Sequence, residues 1–184
     1  MAPLVAHLGV LQRAYVPLQA REALPQQTPL LSTVTCKPDE QSDIAMAIEA
    51  GRALARDVGS GDPERMAPLR LAELVQSACA GTGISVELLS DVAVLARDYP
   101  LLMAVARASL AVERHRPCVV RLEWRGRGQA TRTLLVAGKG VTYDTGGADI
   151  KVGGSMAGMR RDKCGAAAAA GFIVACAHAD PDMT

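Results

Sequence analysis

The chain has 184 residues, 49% of them hydrophobic and only 3% aromatic, with a net charge of +1 at neutral pH. That length supports one domain with a real core. The near-zero charge removes the electrostatic case for nucleic acid, and no apolar run is long enough to cross a membrane.

With so few aromatic residues, the core must rely on Ala, Leu and Val, as a closely packed α/β layer protein can. Met1–Lys37 carries Pro3, Pro17, Pro25 and Pro29, shows no sustained periodicity and has no acidic residue before Glu22. Residues 1–40 therefore read as an N-terminal arm or the remnant of an N-terminal domain, with a targeting presequence as the alternative. Ser42 predicts the N-cap of a helix over Asp43–Asp57, with Ile44, Ile48 and Leu54 on one face. Asp57–Ala67 is rich in turn residues. Pro68 suits the first turn of a second helix ending at Cys79, with Leu71, Leu74 and Val75 inward, and Gly81-Thr82-Gly83 closes it. Ile84–Leu88 alternates like a strand, Val92–Arg97 predicts a short helix, and Leu102–Ala106 reads as loop or strand. Val119–Trp124 and Thr133–Ala137 predict two further strands, joined as a hairpin through Arg125–Gly128. Cys164–Ala177 is the last predicted helix, with Ala166–Ala170 as a tight-packing face. It should lead on to another strand, with His178–Thr184 as the connecting loop and an open apolar sheet edge left behind. The fold class expected is α/β: a mixed sheet with helices on both faces, incomplete at its C-terminal end.

Cysteines number five (Cys36, Cys79, Cys118, Cys164 and Cys176) and form no C-x-x-C pair. They predict reduced, buried thiols in a cytoplasmic protein, or a mitochondrial one if the presequence reading holds. His7, His115 and His178 lie far apart and form no ligand motif.

Chemistry concentrates in residues 136–165. The apolar run Leu134–Ala137 leads into Gly138-Lys139-Gly140, then Val-Thr-Tyr-Asp144-Thr-Gly-Gly-Ala-Asp-Ile-Lys151, and onward through Met159-Arg-Arg-Asp162-Lys163. Charges leaving the end of a buried strand must be solvated, paired or bound to a metal. The pattern is neither G-x-x-x-x-G-K-[ST] nor a strand-to-helix G-x-G-x-x-G, so a nucleotide loop is a poor reading. Plainer readings exist for each group. Lys139 and Asp144 could be a loop ion pair, Asp162 a helix N-cap, Met159 ordinary core, and Asp149 and Lys163 solvated or paired charges.

This stretch resembles the first half of the active site of the leucyl (cytosol) aminopeptidase family, two-metal exopeptidases, and is most similar to their probable aminopeptidase-like branch. In that family a lysine and an aspartate five residues later bind metal. A catalytic lysine follows after seven residues and a metal-binding aspartate after eleven more. Lys139, Asp144, Lys151 and Asp162 keep that register. A weaker resemblance begins near Ala45 and includes Gly51–Asp57 and Asp62–Glu73, so residues 41–184 look like the first half of the catalytic domain. Family members also carry a downstream Asn-Thr-Asp-Ala-Glu-Gly-Arg motif, which does not occur in this chain.

The resemblance implies a metalloaminopeptidase that hydrolyses N-terminal residues from peptides with two divalent metal ions, Zn or Mn, with Mg or Co as further options. By the same resemblance Asp144 bridges both ions, and Asp162 and the neutral amine of Lys139 bind one of them. Lys151 is catalytic, stabilising the tetrahedral intermediate as an ammonium, and Met159 lines the pocket for the substrate's first side chain. An amine ligand needs a strongly lowered pKa, which burial beside a dication can produce. The implied partners are a peptide substrate and further copies of the chain, hexameric by resemblance, or a larger protein complex. The alternative from another class is an inactive, truncated paralogue serving as a structural or assembly subunit.

Overall fold

The computed structural model describes residues 2–25 and 40–180. Cys36, and residues 181–184 of the expected connecting loop, lie outside them. Helices dominate, with a small antiparallel sheet beside them, so the protein is a mixed helix-and-sheet fold.

The aperiodic N-terminal stretch forms two helices over its described part, α1 (Ala2–Ala14) and α2 (Leu18–Ala23), separated at Pro17, which cannot extend α1. α1 packs on α3 (Glu40–Ser60). α3 starts before Ser42, so Ser42 is a buried residue within the first turns and not a cap. The inward face includes Leu54, as expected, but not Ile44. Ile44 is 36% exposed, whereas Ala45, Ala47, Leu54 and Val58 are buried. The reason is the partner. α3 packs most extensively on α7 (Cys164–Ala179), an alanine-rich helix, and where the two backbones come closest only small residues fit.

At that crossing a Cβ on Gly51 would lie 2.1 Å from the Gly171 carbonyl oxygen, and one on Gly171 would lie 2.4 Å from the Gly51 carbonyl oxygen. The alanine face behaves as read from the sequence, since Ala167 and Ala170 are core. The core joins Leu54 and Val58 of α3 and Ala167, Ala170 and Val174 of α7 to Val75 and Cys79 of α4 (Pro68–Cys79). α4 begins with Pro68 in its first turn, as predicted.

The sheet pairs β1 (Ser85–Leu89) with β2 (Val119–Glu123), antiparallel, with Val86 opposite Leu122 and Leu88 opposite Val120. Between them run α5 (Val92–Asp98) and α6 (Pro100–Ala106). The Asp91 side chain caps α5, accepting from the Ala93 and Val94 N–H groups at 2.8 and 2.9 Å. α6 replaces the loop or strand expected at Leu102–Ala106, because Pro100 is a good first helical residue for the apolar run after it. The expected hairpin of β2 with Thr133–Ala137 is absent among the described residues. That segment joins no ladder, and Leu135 is 89% exposed. β propensity alone does not make a strand; a hydrogen-bonded neighbour does. Cys79, Cys118, Cys164 and Cys176 are unpaired thiols, and Cys164 is exposed where burial was expected.

A polar clasp ties α1 and α2 to α3. The Tyr15 hydroxyl donates to Asp57 at 2.7 Å, Arg21 donates to the other Asp57 oxygen at 2.7 Å, and the Arg56 guanidinium stacks 4.3 Å above the Tyr15 ring. Desolvation, reinforced by the Asp57 carboxylate, pushes the Tyr15 phenol up to about 12. A folded-state pKa above the unfolded value near 10 makes this contribution complete below pH 10 and lost as pH rises through 12. The near-ultraviolet phenolate titration of the protein minus that of Tyr15→Phe should therefore show a midpoint close to 12. A midpoint at the ordinary tyrosine value would mean that the clasp is open in solution.

Candidate active site

Backbone crowding positions the first lysine. A Cβ on Gly138 would lie 2.4 Å from the Gly165 carbonyl oxygen, and one on Gly165 would lie 2.9 Å from the Lys139 nitrogen. These two glycines let the loop cross directly over the start of α7. There the Ala166 N–H, one of the helix's first-turn donors without a partner inside the helix, donates to the Lys139 carbonyl at 2.8 Å.

Asp144 and Lys151 bracket a small turn. The Gly146 N–H donates to Asp144 Oδ1 at 2.9 Å, the Lys151 N–H donates to the Thr145 carbonyl at 3.0 Å, and Gly146 bridges Ile150. Lys151 Nζ is thereby brought to 3.2 Å from Asp144 Oδ2. Asp162 and Met159 lie on a 3-10 turn, Met159–Lys163, that opens after Gly158 and runs straight into α7. Lys139 Nζ meets Asp162 Oδ2 at 2.8 Å. Asp162 is not a cap of α7: the residue before that helix is Lys163, and no side chain caps its N-terminus.

The two ion pairs are coupled. Asp162 raises the Lys139 pKa, first through its 2.8 Å contact and then through its charge, and Asp144 adds to the effect. The Asp144 carboxyl is held below the usual range, first by the Gly146 N–H, then by Lys151, with Lys139 contributing. Lys139, Asp144, Lys151 and Asp162 thus form one electrostatic group, with Met159 three residues before Asp162 on the same turn. The direction at Lys139 is opposite to that expected of an amine ligand. Its side chain is largely exposed and sits against a carboxylate, so the carboxylate outweighs the desolvation of the ammonium.

Asp162 Oδ2 carries a second signal. The atom is buried, and although it lies 2.8 Å from the ammonium, the angles fall short of a hydrogen bond. A buried acceptor without a hydrogen bond has coordination capacity left over. Two carboxylates are hard donors that suit Mg, Mn or Zn, and Lys139 could join them only after losing its proton. Among the described residues no three His, Cys, Asp or Glu side chains converge. The residues present fit a divalent cation by donor type and supply part of a coordination shell.

Lys163, read from the sequence as an ordinary charge, is the largest fully buried side chain, at 0% exposure. Burial lowers its pKa. Sequence carries little warning of this.

The model of the cytosol aminopeptidase family's catalytic domain matches residues 53–184. A "putative aminopeptidase" of Caenorhabditis elegans is 44% identical over 181 residues, 95% of this chain and 34% of that protein. A "probable cytosol aminopeptidase" of Stenotrophomonas maltophilia is 40% identical over 134 residues, 72% of this chain and 26% of that protein. Among solved structures, the bottromycin maturation enzyme BotP in complex with Mn shares the fold, with a TM-score of 0.67 at 23% identity over 84% of this chain and 32% of that chain. The chain spans between about a quarter and a third of the length of these proteins.

Proposed function

The chain belongs to the cytosol aminopeptidase family, and from that premise we propose that it contributes the first half of a two-metal site that removes N-terminal residues from peptides. The observation that carries the proposal is the gathering of Lys139, Asp144, Lys151 and Asp162 into two coupled ion pairs, one of them at the start of α7. In this reading residues 1–40 are an arm and 41–184 the catalytic half-domain, in a cytoplasmic setting. The remaining carboxylate donors come from further sequence of the same family, on this or another polypeptide.

Asp144 would bridge two divalent ions, Mn or Zn by the character of the donors, while Asp162 and the Lys139 amine would hold one of them. When bound, such a pair activates water and polarises the scissile carbonyl. The chain's own residues do the rest. Asp144 is kept ionised by the Gly146 N–H and Lys151, so no proton has to leave it before it can act as a ligand. Lys151, now 3.2 Å from Asp144, would place its ammonium where it can stabilise negative charge on the substrate oxygen. Met159 offers an apolar surface to the substrate's first side chain. The exposed apolar run Leu134, Leu135 and Val136 is a surface suited to assembly, whether with other copies as a hexamer or within a larger complex.

Titrating the chain with Mn2+, followed by calorimetry or the electron paramagnetic resonance of free Mn2+, tests the site. Asp144→Asn and Asp162→Asn should each weaken binding by at least about tenfold. Variants that bind as tightly as the unmodified protein, or a form carrying the remaining donors that binds none, would overturn the metal assignment.

A further inference from the structure

A buried ammonium must find acceptors, and the partners of Lys163 are notable for what they join. Lys163 Nζ donates to the Gly61 carbonyl at 3.0 Å and to the Arg160 carbonyl in its own turn. Among the described residues no carboxylate lies within ion-pair distance of it. Gly61 directly follows α3, so its carbonyl stands at the negative end of that helix dipole. The carbonyl is itself fixed. A Cβ on Gly61 would meet Met66 Cγ at 2.7 Å and the Asp57 carbonyl oxygen at 2.9 Å, and Met66 is fully buried. On the far side of Lys163 the chain enters α7, whose Ala166 N–H holds the Lys139 carbonyl. A continuous path therefore runs from the end of α3 through Lys163 to Asp162, and through the first turn of α7 to Lys139.

We infer that Lys163 is a positioning residue of the candidate site: its ammonium ties the turn carrying Asp162 to the end of α3 and so holds Asp162 and Lys139 in place for a divalent cation. The part of this inference that concerns the cation rests on the metal reading above; the tie itself does not. An apolar residue would serve the core at this position equally well, and nothing in packing asks for a charge there. What a charge adds is direction, because two carbonyl acceptors on different elements fix the turn's orientation in a way that dispersion contacts cannot.

The test compares the full chain with Lys163→Met, which keeps an unbranched stem of similar volume and removes all three donors. Mn2+ affinity should fall by about tenfold or more. Hydrogen exchange of the Ala166 amide should accelerate by at least about tenfold, while the Val58 and Val174 amides in the α3–α7 core keep their protection. Lys163→Arg, which restores donors and charge, should recover part of both. The inference is overturned if Lys163→Met keeps both its affinity and its Ala166 protection. It is equally overturned if Val58 and Val174 lose protection in step with Ala166, which is the mark of a general stability role. Should Lys163→Met fail to fold, Lys163→Gln, with one amide donor group in place of the ammonium, supplies the same comparison. Affinity is read in the form that carries the remaining donors; if that form binds no Mn2+ the metal reading falls, while exchange at Ala166 still decides whether the tie exists.

Discussion

Replacing Gly51 with alanine lowers the thermal midpoint by about 6–12 °C, corresponding to about 3 kcal/mol of stability at this chain length. The added methyl would stand 2.1 Å from a backbone oxygen of Gly171 and 2.8 Å from the Ala175 methyl. The first clash is with main chain, so no side-chain rotamer relieves it. Two helices must move apart along the interface that holds most of the core, and Leu54, Val58, Ala167 and Ala170 lose contact as they do. Intrinsic propensity pulls the other way, since alanine favours an α-helix over glycine by about 1 kcal/mol. Steric cost wins because it acts on the whole crossing. Gly9→Ala is the internal control. It lies within α1 with nothing inside 4 Å of its Cβ position, so the same substitution should leave the midpoint unchanged or raise it slightly. Thermal unfolding of both variants followed by circular dichroism checks the pair. A Gly51→Ala midpoint within 2 °C of the unmodified chain, on the order of the shift expected for less than 1 kcal/mol, would mean that α3 and α7 do not approach as closely as described.

How far the sequence could be read depended on whether a signal was local. Pro68 at the start of α4, the Gly81–Gly83 turn, the strand β1 and the small-residue face of α7 each rest on residues that act within a few positions, and each is found in the structure, although β1 does not keep the expected alternation at Leu88. The failures involve partners distant in the chain. The inward face of α3 could not be placed from Ile44 and Ile48, because it is set by a glycine more than a hundred residues later. Thr133–Ala137 has strand composition but no neighbour among the described residues, and pairing is a property of two segments. α1 and α2 were missed because their weak periodicity is offset by tertiary contacts from Tyr15 and Arg21 to Asp57. At the candidate site the four charges and their register were legible. Which lysine pairs with which aspartate was not: Lys139 takes Asp162 over the nearer Asp144, because Gly138 and Gly165 let the loop cross the start of α7. Lys163 was read as ordinary for a related reason. Burial of a lysine depends on acceptors supplied from Gly61, 102 positions away.

Lys151→Ala, in whichever full-length or assembled form shows peptidase turnover, reduces kcat by about 100- to 1000-fold, or roughly 3–4 kcal/mol of transition-state stabilisation. The magnitude follows from the kind of charge involved. The Gly146–Ile150 bridge and the Lys151 N–H to Thr145 carbonyl contact fix the Lys151 main chain beside Asp144, so its ammonium has only a short reach to the site. An oriented charge that faces the developing oxyanion acts on the transition state more than on the neutral ground-state amide, so kcat and kcat/KM should fall together while KM changes little. Metal content, measured on the purified variant, separates this role from a structural one. If the ions remain and turnover falls, Lys151 acts on the substrate. If the ions leave with the side chain, its main work is to orient Asp144, and the catalytic assignment moves elsewhere in the site. Lys151→Arg sharpens the distinction, because a guanidinium keeps the charge but not the compact point geometry of an ammonium. Partial recovery of kcat by arginine with metal content unchanged fits charge stabilisation. Full turnover in Lys151→Ala would remove Lys151 from the chemistry and leave its pair with Asp144 as a loop contact.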